Sequence, residues 1–505
     1  MMVCLIGVIP VVRNQEDFDK VFPRKLCRPS RGLHIILAGA TILQLTFDCI
    51  IVDSHVVTPS GMIQRNVVIN DGRIVDFTTD TPQCDRRINA AGLVAIPGLI
   101  DTHVHYGVYS PIDEAARTES RAAALGGVTT MMRMLRLGRP YRTHLQAQLD
   151  ASKLSHYVDY SIHATIFDQK QADEMRFCAD NGVTSFKIYM NLGGEVGHVY
   201  MDMDPRSSDL FEAEVQIEED TIRKVLANAA ALRCPVLVHA EDYQMCECGI
   251  KKARQENKDG LPAWSQSRPP DSEVKAIRAV SSMAREFGTT IYFVHIGSSA
   301  ALAAIDEEKG KGTKIFVETC PHYMTLSYEK QAGYLAKVMP PIRTHQDVEQ
   351  VWAAVIGNKI DAIGTDHVAN RLKLKVGEDV WSSLAGFPGI GTMLPILLSE
   401  GVNKNRINLG QLVSLTSGNA ARIFGMFPRK GAIQKGSDAD ITLVDLKKEQ
   451  KVKSEFFGAF SDYIVYEDWT LKGWPQTTLV RGQMVTEEMQ VVGKAGHGRL
   501  VERSR

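Results

Sequence analysis

Hydrophobic and polar residues follow two different periodic patterns along the chain, and the pattern changes after Pro97. Between Phe47 and Pro97, short apolar segments are separated by turn sequences such as Asn70-Asp71-Gly72, which is typical of β-hairpins. After Gly98, each apolar segment is followed by a polar residue and then by an amphipathic helical pattern. This repeat predicts parallel strands joined by crossover helices.

The pattern after Gly98, in which apolar segments alternate with helices, predicts eight strands. They cover residues 99–103, 128–133, 160–164, 184–188, 236–239, 291–295, 315–318 and 361–366. Eight strands with crossover helices are expected to close into a (β/α)₈ TIM barrel. β patterns return near residues 432–444 and 478–480, and we expect them to pair with the N-terminal β segments. The predicted fold class is therefore α/β, a barrel with a small β-sandwich domain formed from both chain ends.

These patterns predict four regions. Residues 1–46 form an N-terminal extension of unknown role, residues 47–97 and 428–482 form the β-sandwich domain, residues 98–427 form the barrel, and residues 483–505 form a C-terminal tail that is a candidate oligomer contact. Within the barrel, the long segment 192–215 is either a gate over the substrate or surface variation.

Composition excludes several classes of partner. The chain has 505 residues, with 58 lysines and arginines against 59 acidic residues, so it has no field that attracts nucleic acid or an anionic membrane. The apolar run 33–45 is too short to cross a bilayer, and residues 2–12 lack the flanks of a signal peptide. The nine cysteines form no dense framework, which favours reduced thiols. We expect a cytoplasmic protein without nucleic-acid or membrane partners.

Histidine and aspartate recur where predicted strands end. His103 and His105 end the first strand on one face of the backbone, a spacing that suits two ligands to one cation, although a lone His-x-His is a weak signal. His239, His295 and Asp366 end three further strands. Core packing does not require imidazole at the same end of several strands, so the set predicts a metal centre at the carboxyl face of the barrel.

Lys187 also ends a predicted strand, where an ammonium would repel a metal ion. Two interpretations remain open. Lys187 is a surface or ion-pairing lysine, or it is deprotonated and carboxylated by carbon dioxide, becoming an anionic carbamate that bridges two metals.

The motifs around these residues resemble those of the amidohydrolase superfamily, in particular its hydantoinase, dihydropyrimidinase and allantoinase group, with most similarity to the hydantoinases. The resemblance covers roughly residues 47–500 and is specific in order and spacing. The matching segments are 98–105, 126–130, 186–187, 238–241, 318–323, 340–343, 364–367, 389–395, 400–404 and 436–440.

The resemblance implies two divalent metal ions per chain. It assigns one ion to His103, His105 and Asp366 and the other to His239 and His295, with N6-carboxylysine at position 187 and a hydroxide bridging both. Zinc is the expected metal, and manganese or cobalt also suits such ligands.

The same resemblance implies hydrolysis of a small cyclic amide, a hydantoin or dihydropyrimidine ring opened to an N-carbamoyl amino acid. The bridging hydroxide attacks the carbonyl, and Asp366 takes its proton and passes it to the leaving nitrogen. Backbone groups of Met339, Pro388 and Gly389 are expected to bind the ring amide.

Four positions bear on which ring is opened. Gly107 stands where dihydroorotases carry an arginine, and Leu192 stands where dihydropyrimidinases carry a tyrosine. Arg133 either meets an anionic substrate or pairs with a nearby carboxylate. His322 either orients a ligand or lines the pocket, or it is a buried histidine with structural contacts.

Alternatives remain open for the activity. An allantoinase or a dihydroorotase-like cyclic amidohydrolase is the first, and a non-catalytic dihydropyrimidinase-like scaffold is the second, although such scaffolds lose ligand residues. The resemblance also implies a homo-oligomer, either a tetramer or a dimer.

Overall fold

The computed structural model describes residues 46–330 and 333–505, so the predicted extension 1–46 lies outside the described residues except for its last position. The strands in chain order are β1 Phe47–Val52, β2 His55–Thr58, β3 Gly61–Gln64, β4 Asn66–Asn70, β5 Arg73–Thr78, β6 Cys84–Asn89, β7 Val94–Pro97, β8 Leu99–His105, β9 Val128–Leu135, β10 Asp159–Thr165, β11 Phe186–Tyr189, β12 His198–Met201, β13 Phe211–Glu214, β14 Val236–His239, β15 Ile291–Phe293, β16 Ile315–Thr319, β17 Ala362–Ile363, β18 His367–Val368, β19 Ile441–Lys451, β20 Thr470–Val480, β21 Gln483–Glu487 and β22 Gln490–Val491.

Helices alternate with the central strands and continue after them. They are α1 Ile112–Leu125, α2 Tyr141–Ser155, α3 Gln169–Asp173, α4 Met175–Asp180, α5 Glu219–Leu232, α6 Tyr243–Gln255, α7 Gly260–Ser267, α8 Pro270–Phe287, α9 Ser299–Gly310, α10 His345–Ile356, α11 Leu372–Lys375, α12 Met393–Ile396, α13 Leu409–Val413 and α14 Asn419–Ile423. Short 3-10 turns lie at Gly194–Val196, Pro321–Met324 and Ser454–Phe456, and π-helical turns at Leu397–Val402 and Ser414–Gly418.

The predicted barrel is confirmed. Its sheet has the order β17-β16-β15-β14-β11-β10-β9-β8-β18, with parallel pairing throughout. The eighth strand is split: β17 pairs with β16, and β18 pairs with β8, so one chain segment closes the barrel. The sequence predicted an unbroken strand over 361–366; it is interrupted because Asp366 adopts a left-handed φ of 50°.

Helix α8 shows how the outer layer forms. Its buried residues include Ala276, Ile277, Val280 and Ala284, a helical spacing that places them on one buried apolar stripe. The helix begins with a proline in its first turn and ends at Gly288, whose φ of 72° is the left-handed conformation that glycine adopts at little cost.

Two further sheets pack into the satellite β domain. One has the order β5-β4-β1-β6, and the other has the order β22-β21-β20-β19-β7-β2-β3. Antiparallel pairing of β19 with β7 joins the two ends of the chain. Their shared core includes Ile51, Val67, Ile69, Ile441 and Leu479, all with no measurable exposure.

The residues predicted as a C-terminal tail, 483–505, begin with two strands of the satellite sheet. Strands β21 and β22 extend the satellite sheet beyond residue 482, because β21 pairs with β20 and β22 pairs with β21, both in antiparallel orientation. The last residues then lie against the amino end of the same barrel: Val501 donates its N–H to Tyr160 O at 2.8 Å, and Arg503 donates to Ser185 Oγ at 2.7 Å. A homo-oligomer stays a prediction.

Two observations concern the predicted cellular context. Among residues 46–330 and 333–505, no helix has both the length and the apolar character needed to cross a membrane. The cysteines in that part of the chain are all free thiols. The cytoplasmic location stays a prediction.

Candidate metal centre

The six predicted ligands converge at the carboxyl face of the barrel, and all six are buried. Alternation along extended backbone places His103 and His105 on one face of β8, while Lys187 lies on β11. His239 ends β14, His295 follows β15, and Asp366 lies between β17 and β18. The imidazoles and Asp366 line a cavity of about 450 Å³.

His103, His105 and Asp366 direct their donor atoms toward one another. Asp366 Oδ1 lies 3.3 Å from His103 Nε2 and 3.2 Å from His105 Nε2, and the two Nε2 atoms are 3.1 Å apart. Two imidazole nitrogens and a carboxylate oxygen at this spacing form a donor set for a divalent cation.

His239 and His295 form the second part of the centre. Their ring centroids are 4.5 Å apart, and the His295 ring lies 5.3 Å from that of His103, so the imidazoles form one contiguous group. Burial lowers the pKa values of His103, His105 and His295 well below the usual value. These imidazoles are therefore neutral at pH 7, which is the state that binds metal.

Lys187 has no exposed surface, and its Nζ has no hydrogen-bond partner among the described residues. Burial lowers the pKa of its ammonium to about 7, although the carboxyl groups of Asp366 and Glu318 oppose the shift. A substantial fraction of the side chain is thus a neutral amine at pH 7, the form that reacts with carbon dioxide.

Glu318, at the end of β16, supports His103, a role not assigned from the sequence. Its Oε1 lies 2.9 Å from His103 Nδ1, and its Oε2 accepts hydrogen bonds from the hydroxyls of Tyr292 at 2.8 Å and Thr102 at 2.5 Å. Burial raises the pKa of Glu318 to about 8. These contacts orient the ring so that Nε2 faces the ligand cluster.

Glu241 supports His239 in the same way. Its Oε2 lies 2.7 Å from His239 Nε2, and both carboxylate oxygens accept from Arg268, at 3.0 and 2.6 Å. Burial favours a higher pKa for Glu241, but Arg268 and His239 outweigh it and lower the pKa to about 2. The sequence pattern that predicted the ligands could also have identified Glu318 and Glu241, because each is an acidic residue at or just beyond the end of an apolar strand.

Two ligands occupy an unusual backbone conformation. His295 has a φ of 45° and Asp366 a φ of 50°, values that L residues adopt at some cost and that cluster at functional sites. Asp101 fixes the backbone next to Asp366, because its carboxylate accepts hydrogen bonds from Thr365 N at 3.0 Å and from Thr365 Oγ1 at 2.5 Å. The first and eighth strands thereby position Asp366 against the histidines of β8.

The predicted substrate contacts divide into two groups. Met339 lines the metal cavity. Pro388 and Gly389 instead border a separate small cavity beside His367, and the Gly389 N–H already donates to His367 Nδ1 at 3.1 Å. In the described chain, residues 384–386 line the metal cavity on this side. Binding of the ring amide by Met339, Pro388 and Gly389 stays a prediction.

Arg133 is engaged within the protein. Its guanidinium donates to Asp202 Oδ1 at 2.8 Å and to Gln148 Oε1 at 3.0 Å, which is the ion-pair alternative. A Cβ at position 107, where φ is 93°, would lie 2.3 Å from Arg133 Nη2, so Gly107 is required for this packing.

Leu192 and the following hairpin cover one side of the cavity. The strands β12 and β13 form a two-stranded antiparallel ribbon, and its residues Val199 and Tyr200 line the wall together with Leu192. His322 is buried but does not line the cavity; its ring packs against those of Tyr323 and Phe387, at centroid distances of 4.2 and 5.1 Å.

Known proteins share this architecture over most of their length. The model of the Amidohydrolase family matches residues 94–485. An allantoinase of Solibacter usitatus is 30% identical over 89% of this chain and 96% of its own length, and a D-hydantoinase of Ralstonia pickettii is 30% identical over 90% and 99%. The structure of an L-hydantoinase (dihydropyrimidinase) from Arthrobacter aurescens is 26% identical, with a TM-score of 0.82 over 90% of this chain and all of that one. The chain belongs to the amidohydrolase family.

Proposed function

We propose that the protein is a metal-dependent hydrolase that opens a small cyclic amide, a hydantoin or dihydropyrimidine ring, to an N-carbamoyl amino acid. One observation carries the proposal: neutral imidazoles, one carboxylate and an unpaired buried lysine meet at the carboxyl face of a barrel. Relatives named hydantoinase, over about nine-tenths of the chain, support the choice of ring.

The donor set fits two divalent cations. His103, His105 and Asp366 would hold one, His239 and His295 the other, and Lys187, carboxylated on Nζ, would bridge them. Neutral imidazole and carboxylate ligands suit zinc, and manganese or cobalt as well. When bound, such cations supply a water of lowered pKa as nucleophile and polarise the amide carbonyl.

The reaction adds water across the ring amide: a C–O bond forms at the carbonyl carbon, and the C–N bond of the ring breaks. Asp366 accepts the proton of the attacking water and delivers it to the leaving nitrogen. Without metal, burial raises the pKa of its carboxyl to about 6. Glu318 and Glu241 keep His103 and His239 oriented throughout.

A substrate panel with metal analysis tests the proposal. Purified protein, loaded with zinc and bicarbonate, is offered hydantoin, dihydrouracil, allantoin and dihydroorotate, and carbamoyl products are quantified. We expect ring opening and two metals per chain. Fewer than one metal per chain together with no ring opening would overturn the proposal, whereas turnover of allantoin alone would favour the activity for which the Solibacter usitatus relative is named.

A further inference from the structure

Arg136 is the first residue after β9, at the same face of the barrel as the metal ligands, and its side chain lines their cavity. After burial, its positive charge is the largest influence that lowers the pKa of His105. The guanidinium therefore lies close to the reacting centre.

The side chain of Arg136 has no partner within residues 46–330 and 333–505. It takes part in no ion pair or hydrogen bond there, and its Nε is fully enclosed without an acceptor. Its backbone, by contrast, is anchored, because its N–H donates to Asp202 and its carbonyl accepts from Asp202 N at 2.9 Å. The residue is held in place while its charged group is left free.

Neighbouring arginines on the same segment are all paired. Arg133 donates to Asp202, and Arg139 donates to Asp204. Asp202 also accepts the backbone N–H of Arg136, so both of its carboxylate oxygens are engaged. Within the segment 133–139, Arg133 and Arg139 thus have acceptors inside the protein, whereas the Arg136 guanidinium has none among the described residues.

Acidic side chains around the cavity do not satisfy Arg136 either. Glu195 and Glu247 both pair with Lys251, each at 3.2 Å, and Glu212 lies 3.9 Å from His198. Two other basic groups in the wall have hydrogen-bond acceptors: Arg268 donates to Glu241, and Lys337 donates to Ser383 O at 2.5 Å. The remaining guanidinium in the wall, that of Arg254, is exposed to solvent and lies over the Trp381 ring, 5.7 Å from its centroid.

An unpaired, half-buried guanidinium is costly unless a ligand completes its hydrogen bonds, and its planar donors match a carboxylate. Ring opening of a neutral amide at the metal centre does not call for such a group. Asn191 adds a second unsatisfied group in the same wall, because its buried Oδ1 has no donor among the described residues. It is available to accept an N–H of the ring.

We infer that Arg136 binds an anionic substituent of the substrate, so that the preferred substrate is a cyclic amide whose ring carries a carboxylate. This inference rests on the proposed function and narrows its substrate class. Arg136 thereby determines specificity, while the metal ligands and Asp366 carry out the hydrolysis.

Matched pairs of neutral and carboxylated rings test the inference. Hydantoin is compared with hydantoin-5-acetic acid, and dihydrouracil with dihydroorotate, by kcat/KM and by calorimetric binding. We expect the wild-type enzyme to favour the carboxylated member of at least one pair by about 10- to 100-fold, as a charge-assisted bidentate contact allows. Arg136→Leu should remove this preference mainly through KM, and Arg136→Lys should keep part of it.

Arg139→Leu is the control, because it removes a nearby arginine that is already paired with Asp204 and should leave the preference unchanged. Metal content of Arg136→Leu should equal that of the wild type. If neutral rings are opened equally well or better and Arg136→Leu leaves every ratio unchanged, the inference is wrong while the proposed function stands. If no ring is opened, the proposed function fails, and equal binding of both members of each pair then overturns the inference as well.

Discussion

Two clusters of buried titratable groups lie at opposite ends of the barrel, and they differ in what balances their charge. At the amino end, Lys430 Nζ lies 2.6 Å from Asp159, 3.1 Å from Asp438 and 2.5 Å from Asp440. Arg481 donates to Asp159 as well. A side-chain ammonium therefore sits where a cation would bind, and the cluster joins the barrel to the satellite domain.

At the carboxyl end, Asp366 forms no ion pair with any described lysine or arginine, and His103 and His105 direct nitrogen atoms at the same oxygen. The nearby amine of Lys187 has no hydrogen-bond partner among the described residues, and burial lowers its pKa to about 7. Both clusters bring at least three ligand-type residues together. Proximity of ligand-type residues is therefore insufficient, because a metal site also requires donor atoms that no side-chain cation already neutralises.

The sharpest test of this contrast is Asp366→Asn. It removes a metal ligand and the proton acceptor together, so we expect kcat to fall by about 10⁴-fold on the best ring substrate. Asp440→Asn makes the same chemical change in the other cluster and should leave kcat within a few-fold. If kcat fell by a similar factor in both variants at equal metal content, the two clusters would not differ in function as proposed.

Lys430→Met should act on stability instead. It leaves buried carboxylates without their ammonium, which costs about 3–5 kcal/mol of unfolding free energy when one partner of a buried ion pair is removed. Urea denaturation measures the change. The folded variant is expected to keep its metal content and kcat, and a loss of metal at unchanged stability would show that this cluster is not structural.

Lys187→Ala tests the bridge. We expect kcat to fall more than about 100-fold and metal to drop toward one ion per chain, since a carbamate ligand is lost. Acetate or propionate should restore part of the activity by supplying a carboxylate in the space left by the side chain. An unchanged rate would contradict carboxylation, and mass spectrometry of gently ionised wild-type protein should show the added carbon dioxide.

Glu318→Gln is expected to have the smallest effect. The amide keeps the shape but weakens the contact that orients His103, so metal affinity should fall by about 10-fold, as is common for residues that support a ligand. Competition with a chelator measures it. Identical affinity in variant and wild type would mean that packing alone orients the ring.

Much of the centre was determined by the sequence alone. His103, His105, His239, His295, Lys187 and Asp366 each end an apolar segment. Parallel strands of a barrel bring their carboxyl ends together whatever the details of packing, so a local pattern and one topology were enough to predict their convergence. The same logic predicted the eight strands and the satellite domain, because side-chain periodicity and turn residues are local properties.

The hydrogen-bond partners of individual charged and polar groups followed from tertiary contacts and were not predictable from local sequence. Arg133 and Arg136 lie three residues apart, yet Asp202, from the hairpin segment that follows the fourth strand, pairs with the Arg133 side chain and leaves that of Arg136 free. The N–H of Gly389 donates to His367 Nδ1, and Gly389 borders the small cavity beside His367 and is not among the residues that line the metal cavity. Such outcomes depend on distances between segments far apart in sequence, and hydrogen-bond partners are chosen by those distances, which no local pattern encodes.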